Sequence, residues 1–217
     1  MKIIKNTKYS SGFTLAEVLI TMSIIGVVSV LLITVVQNIQ QAEFINKWKK
    51  VYSTINQTYA SILLDNGGTI KGVSYTQPAY KNLFRDKLSV VKDCDLNSGG
   101  VCWHANDAGG TYTAQYLNKT FVTNSFWSFA NSFPAIVLAD GTMIYFVHYD
   151  DNCNWAGQGM CTLIHIDING FAKPNQYGKD LYTISVTATG ISPGYGVTDN
   201  CVPGGVGYNC GRTYLSK

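Results

Sequence analysis

The chain has 217 residues, enough for one domain with an appendage. Only 13% of the residues are charged, low for a soluble protein, where about 25% is usual. The formal charge of +3 comes from 16 basic against 13 acidic residues, and Lys2, Lys5 and Lys8 lie in the first twelve positions, so the chain beyond Gly12 is formally neutral. That balance gives no support to nucleic acid as a partner.

Residues 1–12 read as a basic leader, and 13–36 as an apolar helix long enough to span a bilayer with some tilt. The leader stays cytoplasmic by the positive-inside rule, which places the rest outside the cytoplasm. An ordinary secretory signal has a shorter apolar core and a small residue after it. Here the small residue, Gly12, comes first. Glu17 is the only ionisable side chain in this run. An unpaired carboxylate in hydrocarbon is expensive, so Glu17 implies a cationic partner.

Residues 37–65 continue the helix in amphipathic form. Phe44, Trp48, Val51, Tyr52, Ile55, Tyr59, Ile62 and Leu63 recur at spacings of three and four, which predicts one stripe to bury. Asp65-Asn66-Gly67-Gly68 is a helix stop. One helix from about Thr14 to Leu64 follows, roughly 75 Å long at 1.5 Å per residue.

Residues 66–217 read as a globular head. Ala79–Lys92 is predicted as a second helix, with Tyr80, Leu83, Phe84, Leu88 and Val91 on its apolar face. A loop-rich stretch with Gly99-Gly100 and Gly109-Gly110 follows, then an aromatic cluster of Phe126, Trp127, Phe129 and Phe133 that suits a core. Strands are predicted over Ala135–Ala139 and Thr142–Tyr149, joined by the hairpin signal Asp140-Gly141, then over Thr162–Ile168 and Leu181–Thr189. The remainder reads as a Gly/Pro-rich tail. A long helix followed by antiparallel strands is an α+β order.

Six cysteines cluster as neighbours in sequence. Cys94–Cys102, Cys153–Cys161 and Cys201–Cys210 each close a short loop at low entropic cost. Disulfides suit an exported domain, and no C-x-x-C spacing favours a metal. A zinc set of His148, Cys153, Cys161 and His165 is disfavoured by strand parity. Pairing around a Cys153–Cys161 bridge puts His148 opposite Ile166 and His165 opposite Tyr149, with the histidines on opposite faces.

Asp167-Ile168-Asn169-Gly170, followed by Asp180, has the oxygen-rich spacing of a calcium loop without the acidic density of an EF-hand. The competing reading is a turn in which Asp167 and Asn169 bond backbone amides. No other cofactor is indicated. No G-x-S-x-G elbow or phosphate loop occurs, which argues against an enzyme.

Gly12, Phe13, Thr14, Leu15 and Glu17, then the apolar run to Val36, resemble the N-terminal segment of the type IV pilin superfamily, which includes minor pilins and type II secretion pseudopilins. The head motifs around Asp140-Gly141 and Asp167–Asp180 are similar to those of pilin-like heads. The resemblance implies cleavage between Gly12 and Phe13 by prepilin peptidase, N-methylation of Phe13, and residence in a bacterial inner membrane before assembly with other pilin or pseudopilin subunits. It implies that Glu17 meets the Phe13 amine of a neighbour. The alternative it leaves is a minor pilin-like binding protein, an adhesin or DNA-uptake component displayed on such a filament. Many major pilins have a proline within the apolar helix; this chain has Ile33-Thr34-Val35-Val36 and none there.

Overall fold

The computed structural model describes residues 12–73, 76–105, 114–122, 133–196, 201–202 and 204–216. The first helix, α1, spans Leu15–Asp65. It ends where Gly67 and Gly68 take positive φ, which lets the Gly68 N–H reach back to the Leu63 carbonyl at 2.7 Å. By internal contacts the chain divides between Ala42 and Glu43. In the second unit the predicted stripe is buried: Trp48, Val51, Ile55, Tyr59 and Ile62 all enter the core. Burying each such side chain contributes about 1.5–3 kcal/mol, which outweighs the modest helix propensity of the β-branched and aromatic residues.

Helix α2 spans Gln77–Arg85. Thr76 caps it by accepting the Ala79 N–H at 3.3 Å, and Pro78 sits in its first turn, where a missing N–H costs nothing. The helix expected over Ala79–Lys92 therefore stops early. Asp86, Lys87 and Leu88 form a turn, and Val90–Cys94 becomes strand β1. The β-branched pair Val90-Val91 fits a strand better than a helix, and pairing with the next strand decides it. Tyr80 and Phe84 are buried as expected, but Val91 is 61% exposed. Lys81 is fully buried and forms ion pairs with Asp93 and Asp95, which tie α2 to β1. Burial opposes ionisation of Asp93, yet the hydrogen bonds from Lys81 and Arg85 hold its carboxyl below the usual range.

The remaining strands are β2 (Ala135–Leu138), β3 (Met143–His148), β4 (Met160–Asp167), β5 (Leu181–Thr187) and β6 (Ile191–Pro193). All six run antiparallel in sequence order, β1-β2-β3-β4-β5-β6. Asp140-Gly141 makes the predicted tight turn, with Gly141 at φ +84° and Asp140 accepting the Thr142 N–H. Two cores cover the two faces. Ile144, Phe146, Ile164, Ile166, Tyr182 and Ile184 cluster with residues of α1 and α2. Met143, Tyr145, Val147, Leu163 and Leu181 cluster with Trp103 and Tyr177 from loops. Strand β4 is buried at every position, as a central strand covered on both faces must be.

Two short elements lie in the stretch read from sequence as tail: β6 and the helix α3, Cys210–Leu215. The β3–β4 register also differs from the expected one. His148 pairs with Thr162 and Tyr145 with His165, a slip of four residues. The intervening loop spends residues on its own turns. Asp150 accepts the N–H groups of Asn152 and Asn154, and Trp155 bridges to Met160. A slip of four preserves parity, so the two histidines still face opposite sides. Phe133 packs edge-on against Tyr145 at 5.5 Å, whereas Phe126, Trp127, Phe129, Gly109, Gly110 and the leader before Gly12 lie outside the described residues.

Candidate functional site

The N-terminal segment is built from a short non-helical lead and the first turns of α1. Gly12, Phe13 and Thr14 precede the helix, and Phe13 is 89% exposed. Thr14 is the N-cap and Glu17 stands three residues on. Glu17 Oε2 accepts hydrogen bonds from the Thr14 N–H and the Thr14 hydroxyl, both at 2.8 Å, while the Glu17 N–H donates to Thr14 Oγ1 at 3.3 Å. This is a reciprocal capping box, which satisfies amides that the start of a helix leaves without partners. Thr14-Leu15-Ala16-Glu17 carries the signature in sequence, so this local partner for Glu17 was legible there. Reading Glu17 only as a lone charge in an apolar run overlooks it.

From Phe13 to Ala42 Glu17 is the only ionisable residue. Phe13, Leu15, Leu19, Ile25, Val30 and Leu31 are all more than half exposed, as are many of their neighbours. The helix is long and apolar enough to cross a membrane, and none of its apolar window is buried. Two of its hydroxyls suit that medium. Thr21 donates to the Val18 carbonyl at 2.9 Å and Ser23 to the Leu19 carbonyl at 2.8 Å. Each hydroxyl proton thus has an acceptor within the helix, and neither needs water.

The head carries the other candidates. All three predicted disulfides are present: Cys94–Cys102, Cys153–Cys161 and Cys201–Cys210. Cys153 and Cys161 are thereby withdrawn from metal ligation. His148 Nδ1 lies 2.8 Å from Thr162 Oγ1 and Nε2 lies 2.6 Å from Asp151 Oδ1. That hydroxyl–imidazole–carboxylate relay has the order of a hydrolytic triad, but its hydroxyl, on Thr162, is fully buried. The contact instead ties the β3 end to β4.

Asp167, Asn169 and Asp180 gather around the β4–β5 connection. Asp180 accepts the N–H groups of Asn175 at 2.7 Å and Gln176 at 2.6 Å. Asp167 accepts the Asn169 N–H at 3.1 Å, and its other oxygen lies 2.8 Å from His104 Nε2. Asn169 donates to the Lys173 carbonyl. In this arrangement both carboxylates serve as acceptors that close the loop. Burial pushes the Asp167 carboxyl up to about 6 against the opposing pull of His104, and burial raises Asp180 too. Among the described residues no group of three or more His, Cys, Asp or Glu side chains is placed to hold a metal ion. The His104–Asp167 contact joins residues 63 apart and had no sequence signal.

Residues 7–33 match the family described as the prokaryotic N-terminal methylation motif, the hallmark of prepilin-type domains of type IV pilins and pseudopilins. No curated protein and no solved structure matches the chain. The match covers the second half of the leader with Gly12, then Phe13, the capping box and most of the apolar run, and its kind suggests a structural rather than a catalytic protein.

Proposed function

With a prepilin-type N terminus as premise, we propose that this chain is a filament subunit of a type IV pilus or a type II secretion pseudopilus. Prepilin peptidase cuts between Gly12 and Phe13, and the new Phe13 amine is methylated. The subunit waits in the inner membrane with its head outside the cytoplasm, then joins other pilin or pseudopilin subunits. The observation that supports this reading is a coincidence of position: the methylation motif lies on the same residues as an apolar helix whose described side chains are exposed.

Such a helix has two good environments. Lipid covers it before assembly, and the helices of neighbouring subunits cover it afterwards. Glu17 distinguishes the two. The proposed cut leaves Thr14 and Glu17 together, so the capping box survives processing. Both box bonds to the carboxylate use Oε2. The other oxygen then accepts the methylated ammonium of Phe13 from an adjacent copy. Burial of the apolar surface provides cohesion, and the charge pair fixes the register between subunits. Gly12→Ala should abolish the Phe13 terminus, whereas Glu17→Ala should be processed yet excluded from filaments. Recovery of Glu17→Ala in filaments at the native level would remove the pairing from the account.

A further inference from the structure

Two clefts in the head meet. One, of about 600 Å³, is lined by residues including Lys71, Asn152, Asn154 and Thr189. The other, of about 550 Å³, is lined by residues including Ser185, Ser192 and Arg212. Gln158 and Thr187 line both, so the two form one trough across the open ends of β4, β5 and β6. Among the described residues no carboxylate lines either cleft. Among the described residues Arg212 has no carboxylate partner; its guanidinium donates only a long bond, 3.4 Å, to Ser192 Oγ. An exposed arginine with its fork open, in a trough whose other polar lining is amides, hydroxyls and Lys71, suits an anionic group carried on a hydroxyl-rich body.

The walls are held before any ligand arrives. The Cys153–Cys161 bridge closes the loop that carries Asn154 and Gln158, and Asp150 pins its start by accepting the N–H groups of Asn152 and Asn154. Ser185 donates to the Gly194 carbonyl at 2.7 Å, and Thr187 to the Gly190 carbonyl at 2.9 Å. The Ser185 oxygen is thereby oriented as an acceptor for a ligand hydroxyl, while Thr187 Oγ1 already accepts the Gly190 N–H at 3.1 Å. Arg212 is carried by α3, two residues after Cys210 of the third disulfide. Fixed walls reduce the ordering cost of binding.

We propose that this trough is a binding site for an acidic oligosaccharide. A uronate-type carboxylate engages Arg212, and the sugar hydroxyls bond Gln158, Asn154 and the hydroxyls of β5 and β6. The acidic group is assigned to the Arg212 end, where the guanidinium has no carboxylate partner among the described residues. Nucleic acid is the poorer occupant. Among the described residues the trough lining contains no aromatic platform for a base, and the chain beyond the leader is formally neutral.

The test titrates the full chain in detergent micelles with pentagalacturonate, its methyl ester, and a thymidine pentanucleotide. The free acid should bind saturably, and the methyl ester, which keeps most hydroxyls but loses the charges, should bind at least about tenfold more weakly, the scale of one charge-assisted hydrogen bond. Arg212→Ala should lose the same factor for the acid and little for the ester, and Arg212→Lys should recover part of it. Unchanged far-ultraviolet circular dichroism confirms that the variants are folded. Absence of saturable binding, equal affinity for acid and ester, an Arg212→Ala chain that binds as the native one does, or tighter binding of the pentanucleotide would each overturn the proposal. None of these results bears on the filament reading, which is tested at the N terminus.

Discussion

Trp48 is where α1 is fastened into the head. Its ring is fully buried and stacks on Tyr182 with centroids 4.3 Å apart and planes 14° from parallel. Its indole N–H donates to the Gly211 carbonyl at 3.0 Å. Trp48→Phe keeps an aromatic ring over Tyr182 but deletes that donor. Leaving the buried carbonyl without its partner costs about 1–3 kcal/mol. The lost ring leaves a cavity of roughly 40 Å³, which adds about 1 kcal/mol at about 24 cal/mol per Å³. The expected loss is therefore about 2–4 kcal/mol. Gly211→Ala attacks the same contact from the other side. A Cβ there would lie 2.7 Å from Trp48 Cζ2, and the overpacking should cost about 1–3 kcal/mol. In the Trp48→Phe background that Cβ enters the vacated space, so Gly211→Ala should become nearly neutral. Urea unfolding followed by far-ultraviolet circular dichroism, on a chain beginning at Glu43, gives all four corners of the cycle. Additive losses, or a Trp48→Phe loss below about 0.5 kcal/mol, would refute the claim that this contact fastens the helix.

Two further predictions concern the head. Asp167 has its carboxyl at about 6 in the fold, against about 3.9 in an unfolded chain. Between those values the native state holds a proton that the unfolded chain has released, so this residue makes stability fall as pH rises through the window. Asp167→Asn should remove the effect, and the native chain should lose up to about 3 kcal/mol relative to the variant between about pH 4 and pH 7; parallel pH profiles would contradict the assignment. Replacing Cys153 and Cys161 by serine opens a short loop and should cost about 2–3 kcal/mol in denaturant unfolding, with no further loss on adding reductant beyond that due to the other two bridges.

Local chemistry was legible in the sequence. The stripe Trp48–Ile62 follows from spacing, the Asp140-Gly141 turn from the φ that glycine permits, and the disulfides from short loop closure. What escaped depends on partners far along the chain. Val90-Val91 becomes an edge strand because β2 is there to pair with it. Three residues of β6 and six of α3 are too short to carry a period, and both are set by contacts with β5, Trp48 and the Cys201–Cys210 bridge. The β3–β4 register turned on how many residues the intervening loop keeps for itself. The trough at Arg212 depends on the same late elements, and no spacing rule joins Gln158 to a residue 54 positions away. At the N terminus the motif is local, and Gly12, Phe13, Thr14 and Glu17 could be read directly.

The central claim is that this chain is a processed filament subunit, and the N-terminal peptide tests it most directly. Mass spectrometry of the protein recovered from membranes that contain a prepilin peptidase should find a chain beginning at Phe13 and heavier by one methyl substitution, while Gly12→Ala should retain the leader. A native chain that keeps Met1–Gly12 in those membranes, or that is cut at another bond, would contradict the account.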